Sequence, residues 1–142
     1  MMENNNLLNN PECAHNLLAI QDAMDVLSGK WTMLILGTLR FNGSMHFKNL
    51  QSRLDGVSAK VLTATLREME TNLLVSRTVG KIKPIKVMYT LTPYGSTLDK
   101  VIFEMLNWGL SHRIMITGKR KVTIPPAEYA NQLLDDLPSL TL

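Results

Sequence analysis

The sequence predicts a mostly helical α+β fold, and three patterns along its 142 residues support that prediction. Apolar residues recur at helical spacing in several segments before residue 72. Two short segments of alternating apolar and polar residues follow, joined by a lysine-rich loop, as in a β-hairpin. A long segment after residue 92 is apolar on two sides, which predicts a helix with two packing partners.

The composition predicts one domain with a buried core. Hydrophobic residues make up 45% of the chain and charged residues 19%, so the sequence is neither disordered nor fibrous. No apolar run reaches the roughly 18 residues that a membrane span needs. The polar, acidic start of the chain is unlike a secretory signal. These features predict a cytoplasmic protein with no membrane partner.

Positive charge is concentrated in the middle of the chain. Residues 30–90 carry ten Lys or Arg and three Asp or Glu, a net charge of +7. The remainder carries five basic and nine acidic residues, a net charge of −4. A basic centre between acidic flanks favours a local site for a polyanion, and the alternative from charge alone is an ordinary solvated surface.

The first half of the chain predicts a flexible arm followed by three helices. Residues 1–12 are rich in asparagine and form the predicted arm. Helices are predicted over about residues 16–27, 30–40 and 47–54. In the first of them, Leu17, Ile20, Met24 and Leu27 recur at helical spacing. The inward-facing residues of the other two are predicted to be Trp31, Leu34, Ile35, Leu39, Phe47, Leu50 and Leu54.

A fourth helix is predicted over residues 59–71, with Ser58 as its N-cap. Its core face is predicted to consist of Leu62, Leu66, Met69 and Leu73. Another face is small or basic, which suits a helix that enters the major groove of DNA. That face consists of Lys60, Thr63, Ala64, Arg67 and Thr71. Two short helices joined by a turn are common, so this pattern alone is a weak indication of DNA binding.

A β-hairpin is predicted next, with strands over 75–79 and 87–91 and a loop that contains Lys81, Lys83 and Lys86. A hairpin directly after such a helix is a wing, and its lysines are well placed to contact DNA phosphates. The alternative is an ordinary hairpin whose lysines protect an edge strand. Together, the helices and the basic hairpin predict a winged helix-turn-helix domain that binds double-stranded DNA.

The last long helix is predicted to begin after Thr92, with Pro93 in its first turn, and to continue to about Ile116. Gly118 is its predicted terminator. The chain is too short to cover both apolar faces, so the helix predicts a homodimer, and the alternative is a helix central to a monomeric core. The predicted dimerisation residues are Leu98, Val101, Ile102, Phe103, Met105, Leu106 and Leu110.

These patterns divide the chain into the arm at 1–12, a winged helix-turn-helix domain with dimerisation helices at 13–118, and an extension at 119–142. The predicted DNA-binding residues are Ser58, Lys60, Thr63, Arg67, His46, Arg77, Lys81, Lys83 and Lys86. Arg67 is predicted to pair with a guanine, and a symmetric dimer predicts an inverted-repeat site. The role of the extension, and any small-molecule effector, are not predicted.

Enzyme functions are disfavoured by the sequence. His15, His46 and His112 are scattered, and no glycine-rich phosphate loop, nucleophile elbow or metal-binding cluster is evident. No cofactor or metal is therefore predicted. The main alternative to a DNA-binding regulator is a winged-helix module that binds other proteins.

Several separated motifs resemble the HxlR-type winged-helix regulators, over about residues 13–112. The motifs are Asp25-Val-Leu-Ser-Gly-Lys-Trp-Thr32, Phe47-x-x-Leu50, Gly56-Val-Ser-Ala-Lys-Val-Leu62, Leu66-Arg-Glu-Met-Glu70, Val87-x-Tyr89-x-Leu91-Thr92 and Trp108-Gly109. The resemblance implies a dimeric bacterial transcription regulator, a repressor or autoregulator, related in architecture to the MarR group. It also implies a palindromic operator, with the fourth helix as the recognition helix and the hairpin as the wing.

Some positions depart from the family pattern. His46 stands where arginine is common, and Leu73 stands where glycine usually ends the recognition helix. We therefore expect Asn72, which tolerates left-handed geometry, to end that helix instead. Further departures are Thr65 for arginine, Gly80 for tyrosine and Ile85 for proline. These changes do not affect the predicted fold, but they leave the operator sequence undefined.

Cys13 resembles the N-terminal cysteine through which some family members sense electrophiles or oxidants, although more residues than usual separate it from the Asp25 motif. Just ahead of the first predicted helix, it would experience the helix dipole, which favours the thiolate, whereas Glu12 opposes it. Because Cys13 is the only cysteine, oxidation would give a sulfenic acid, a mixed disulfide or a link between two Cys13 residues of a dimer. The alternative is an unreactive cysteine.

Overall fold

A computed structural model describes residues 11–118, apart from the side chains of Glu12 and Cys13, and these residues fall into two compact units. The first unit ends at Ser96 and the second begins at Thr97. The first contains α1 (Pro11–Leu27), α2 (Thr32–Asn42), β1 (Met45–His46), α3 (Phe47–Arg53), α4 (Ala59–Thr71), β2 (Val75–Val79), β3 (Val87–Leu91) and α5 (Pro93–Ser96). The second contains α6 (Asp99–Thr117).

The mostly helical α+β fold predicted from the sequence is confirmed, with a small wing sheet in the first unit. This antiparallel sheet has the strand order β1-β3-β2. In the hairpin, Val75 lies opposite Leu91 and Val79 lies opposite Val87, so both predicted strands are confirmed. β1, which pairs Met45 with Tyr89, was not predicted, because a strand of two residues has no alternation to detect.

The core of the first unit is built from one side of α2, α3 and α4 and from the sheet. Its buried apolar residues are Ile35, Leu36, Leu39, Met45, Leu50, Leu54, Val57, Leu62, Leu66, Met69, Leu74, Val75 and Tyr89. The spacing of Leu62, Leu66 and Met69 therefore predicted the core face of α4 correctly, since residues three and four apart lie on one side of a helix.

The prediction for the first helix was wrong about its start. The chain is already helical at Pro11, so Cys13 lies within α1 and not ahead of it. Leu17, Ile20 and Met24, which recur at helical spacing, are each more than half exposed. Leu34 of α2, which was predicted to face inward, is half exposed. Helical periodicity identifies an apolar face but does not show that the same chain covers it. Of the predicted arm, residues 1–10 lie outside the described residues, as does the extension at 119–142.

The end of α4 also differs from the prediction. Asn72 has φ −81°, whereas Leu73 takes the left-handed conformation, with φ 61°. The N–H of Leu74 donates to the Met69 carbonyl at 2.9 Å, and the N–H of Leu73 donates to the Glu70 carbonyl at 3.0 Å. These two bonds form a Schellman cap, in which the left-handed residue follows the C-cap. Leu73 is therefore 67% exposed and does not belong to the core face.

Substitution of Leu73 by glycine is expected to stabilise the protein by about 1 kcal/mol, because glycine adopts the left-handed conformation without a steric penalty. Little packing is lost with this exposed side chain. Chemical denaturation of the variant and the parent measures the change. The matched control is Asn72→Gly, for which no gain is expected because Asn72 has a negative φ. If Leu73→Gly were less stable than the parent, the claim that the left-handed conformation strains Leu73 would be wrong.

The segment predicted as one helix from Pro93 to about Ile116 consists of α5 and α6, separated by a turn at Thr97–Leu98. The apolar spacing continues through this turn, so the sequence pattern did not reveal it. The N-cap prediction is confirmed, since the N–H of Gly95 donates to Thr92 Oγ1 at 2.8 Å. Gly118 ends α6 in the left-handed conformation, as predicted.

The apolar residues of α6 differ in exposure. Ile102 is buried, whereas Val101, Met105 and Trp108 are exposed. Phe103, Leu106 and Leu110 are half-buried, as is Leu98 in the turn before the helix. Trp108 stacks on His112, with the ring centroids 4.8 Å apart. Neither this helix nor any other in residues 11–118 combines the length and apolarity that would let it cross a membrane.

Candidate nucleic-acid interface

The start of α4 is fixed by Ser58. Its Oγ accepts a hydrogen bond from the N–H of Val61 at 3.2 Å, which confirms the predicted N-cap. The Ser58 hydroxyl proton is not used in this bond, so it can still be donated to another group. Ser58 and Lys60 are both exposed at this end of the helix. The first turn of α4 thus presents a hydroxyl and an ammonium group to the surroundings.

The threonines of α4 use their hydroxyl protons inside the helix. Thr63 Oγ1 donates to the Ala59 carbonyl at 2.7 Å, and Thr65 and Thr71 make the same kind of bond to the residue four positions earlier. Thr63 therefore offers a hydroxyl oxygen and a methyl group, rather than a proton, to a ligand. Such a side chain suits an amino group or the methyl group of thymine.

His46 lies in β1 and contacts the first residue of β3. Its Nδ1 lies 3.3 Å from the backbone oxygen of Val87, and the side chain is half-buried. In the tautomer that donates from Nδ1, the other ring nitrogen, Nε2, is an acceptor. The backbone of His46 pairs with Met88 in the sheet, directly ahead of α3.

A cleft of about 960 Å³ lies between α3, α4 and the hairpin, including part of the hairpin loop. Five predicted DNA-binding residues line it: His46, Thr63, Arg67, Arg77 and Lys86. The remaining four predicted residues, Ser58, Lys60, Lys81 and Lys83, are exposed and do not line it. The cleft therefore brings together residues from three separate stretches of the chain.

Sequence reasoning missed three polar residues of this cleft, namely Lys48, Asn49 and Glu70. Lys48 and Asn49 are exposed on α3, which had been analysed only for its apolar side. Glu70 follows Arg67 by three positions, so both lie on one side of α4. A search for polar residues on the outer faces of the predicted helices would have found all three. The apolar part of the lining consists of Phe47, Pro84, Ile85, Val87 and Tyr89.

The charge of the cleft is positive. Lys48, Arg67, Arg77 and Lys86 line it, and Glu70 is the single acidic residue among the lining residues. Beyond the cleft, Lys81 and Lys83 are exposed in the loop that the Gly80 N–H to Lys86 carbonyl bond closes at 2.8 Å. Cationic side chains with several N–H donors suit phosphate groups and the acceptor edges of guanine.

The same region offers little for metal chemistry. No group of three or more His, Cys, Asp or Glu side chains within the described part of the chain is arranged to hold a metal ion. The polar lining of the cleft consists mainly of hydrogen-bond donors, above all the four cations and the amide of Asn49. This donor set suits a polyanion better than a cation.

Comparison with known proteins agrees with this geometry. The HxlR-like helix-turn-helix family matches residues 26–116. The transcriptional regulator YdeP of Bacillus subtilis (strain 168) is 33% identical over 94 residues, which cover 66% of this chain and 73% of YdeP. YodB of the same organism, also an HTH-type transcriptional regulator, is 36% identical over 89 residues, covering 63% of this chain and 79% of YodB.

Solved structures give the same result. The redox regulator HypR in its reduced form superposes with a TM-score of 0.66 at 30% identity, covering 71% of this chain and 99% of HypR. A MarR-family regulator from Porphyromonas gingivalis W83 gives a TM-score of 0.61 at 27% identity, covering 63% and 87% of the two chains. These similar proteins are transcriptional regulators. With its winged-helix fold and its basic cleft beside α4, the chain belongs to the HxlR-like helix-turn-helix family of transcriptional regulators.

Proposed function

We propose that the protein is a homodimeric repressor or autoregulator that binds an inverted-repeat operator in double-stranded DNA. The observation that carries the proposal is the convergence of Lys48, Arg67, Arg77 and Lys86 on one cleft beside α4. Four cations and one carboxylate form a surface that attracts phosphates. A role on DNA also agrees with the cytoplasmic location expected from the sequence.

In the proposed complex, the first half of α4 enters the major groove. Ser58, Lys60, Thr63 and Arg67 contact bases or the adjacent phosphates, and Arg67 pairs with guanine through two N–H donors. His46 and Arg77, which lie in the sheet, contact the sugar-phosphate backbone of the DNA. The wing lysines bind the flanking phosphates, which fix the register of the protein on the duplex. These lysines are Lys81, Lys83 and Lys86.

Exposed apolar faces support the homodimer. In the first unit, Leu17, Ile20 and Met24 of α1 are each more than half exposed. In the second unit, Met105 and Trp108 of α6 are also more than half exposed. Contiguous apolar faces of this kind are typical of protein interfaces. A two-fold dimer presents two copies of α4, so the half-sites are expected about one helical turn apart.

In this proposal, residues 13–118 form the DNA-binding and dimerisation domain, preceded by an arm and followed by the extension at 119–142. The dimerisation residues are those predicted from the sequence, namely Leu98 in the turn before α6 and six apolar residues of α6. Met105 is the most exposed of that set in the structure, so it is the residue of choice for testing the interface.

DNA titration at several salt concentrations tests the proposed function. The logarithm of the association constant is expected to fall steeply with the logarithm of the salt concentration, and Lys83→Ala is expected to flatten that slope by about one unit. Lys100→Ala, an exposed lysine of α6, is the matched control and should leave the slope unchanged. Binding without steep salt dependence would contradict the proposal and favour a module that binds other proteins.

Replacement of Met105 by glutamate is expected to convert the dimer to a monomer, because a buried, unpaired carboxylate opposes association. Analytical ultracentrifugation measures the change in mass. The control is Met105→Leu, which conserves volume and apolarity and should remain dimeric. A Met105→Glu protein with the mass of the parent dimer would show that this face of α6 is not the interface.

We also propose that Cys13 makes operator binding sensitive to oxidants. Cys13 is the only cysteine of the chain, and it lies within α1. The similar structures include HypR, a redox regulator, and YodB in reduced and diamide-treated forms. Mild oxidant is expected to weaken operator binding in the parent and not in Cys13→Ser, as measured by fluorescence anisotropy. If the two proteins responded equally, Cys13 would not be the residue that makes operator binding sensitive to oxidants.

A further inference from the structure

The tip of the wing carries an apolar side chain between cations. Ile82 is 84% exposed, in the loop between β2 and β3. Its sequence neighbours Lys81 and Lys83 are exposed as well. Ile85, on the other side of Pro84, lines the cleft, whereas Ile82 does not. Ile82 is therefore separate from the basic cleft beside α4.

The surroundings of Ile82 point to a polyanionic partner. No Asp or Glu occurs between Glu70 and Asp99, so the whole hairpin carries positive charge only. A second copy of this wing would repel it, because like charges oppose each other. The minor groove of a duplex combines flanking phosphates with stacked, apolar bases, and this combination matches an isoleucine between two lysines.

We propose that Ile82 is an apolar wedge that inserts between base pairs in the minor groove next to each half-site, while Lys81 and Lys83 bind the phosphates on either side. This inference rests on the proposed function and adds a second source of specificity to it. Insertion requires partial unstacking, which is easiest at flexible pyrimidine–purine steps such as TA and CA. The wing thus selects sequence through the deformability of DNA rather than through hydrogen bonds to bases.

Parallel selections from a random duplex library test the wedge. The full-length parent is expected to enrich a half-site and, beside it, pyrimidine–purine steps. Ile82→Ala is expected to enrich the same half-site without those steps and to bind the parent's selected duplex roughly tenfold more weakly. Energy transfer between dyes at the two duplex ends should show a smaller bend with Ile82→Ala than with the parent.

Lys83→Ala is the matched variant, since it removes charge from the same loop. Lys83→Ala should flatten the salt dependence of binding and retain the enriched pyrimidine–purine steps. Ile82→Ala should keep the salt dependence of the parent and lose those steps. Identical flanking sequences and bends for the parent and Ile82→Ala would overturn the wedge and leave the proposed function standing. A parent that enriches no duplex at all would overturn both. A lower mass of Ile82→Ala without DNA would assign Ile82 to a contact between copies and overturn the wedge.

Discussion

Replacement of Gly95 by alanine is expected to lower the free energy of unfolding by about 3 kcal/mol, because the added methyl group has no room. A Cβ at this position would lie 2.1 Å from the carbonyl oxygen of Leu74 and 3.0 Å from its carbonyl carbon. Both are backbone atoms, so no side-chain rotation relieves the overlap. Urea denaturation followed by circular dichroism measures the loss.

The overlap cannot be avoided cheaply, since hydrogen bonds hold α5 against the turn after α4. Thr92 Oγ1 donates to the Leu73 carbonyl and accepts from the Gly95 N–H. The Thr92 N–H donates to the Leu74 carbonyl at 3.1 Å. Moving Gly95 away from Leu74 would strain these bonds, and an unpaired buried polar group costs about 1–3 kcal/mol.

Gly37→Ala is the matched control for this prediction. Gly37 lies inside α2, and the nearest atom to its added Cβ is Phe41 Cε2 at 4.0 Å. Alanine is therefore expected to stabilise the protein there by about 0.5–1 kcal/mol, because it restricts the unfolded chain. If Gly95→Ala proved as stable as the parent, the close packing of α5 on the Leu74 backbone would be refuted.

Replacement of Arg67 by alanine is expected to weaken operator binding by about 1–3 kcal/mol and to relax specificity at one base pair of each half-site. Arg67 is exposed on α4 and lines the basic cleft. Its guanidinium group can donate two parallel hydrogen bonds to guanine, which no other base accepts in the same way. Titration of the selected operator and of a random duplex measures both effects.

Two further variants separate charge from geometry. Arg67→Lys keeps the charge but loses the planar pair of donors, so it should retain affinity for random duplex and lose discrimination. Arg53→Ala removes an exposed arginine of α3 that does not line the cleft, and its effect on discrimination should be small. Unchanged affinities of Arg67→Ala for both duplexes would show that another residue reads the operator.

Local sequence patterns predicted the structure correctly at positions where it depends on neighbours along the chain. The 4 and 3 spacing of Leu62, Leu66 and Met69 predicted the buried side of α4, and the Thr92-Pro93 pair predicted a helix start. The conformational preference of single residues gave the wrong prediction at Leu73. Asparagine tolerates the left-handed conformation better than leucine does, yet the cap geometry assigns that conformation to Leu73.

The sequence by itself determined α2, α3 and α4, the hairpin, the N-caps at Ser58 and Thr92 and the basic character of the central segment, because each depends on periodicity or composition over a few residues. Only the tertiary structure decided which basic and polar residues line one cleft. Pairing of β1, β3 and β2 brings His46, Arg77 and Lys86 to one side of α4 and adds Lys48 to their cleft. These residues are far apart along the chain, and their distances depend on strand register and helix packing, which no local pattern encodes.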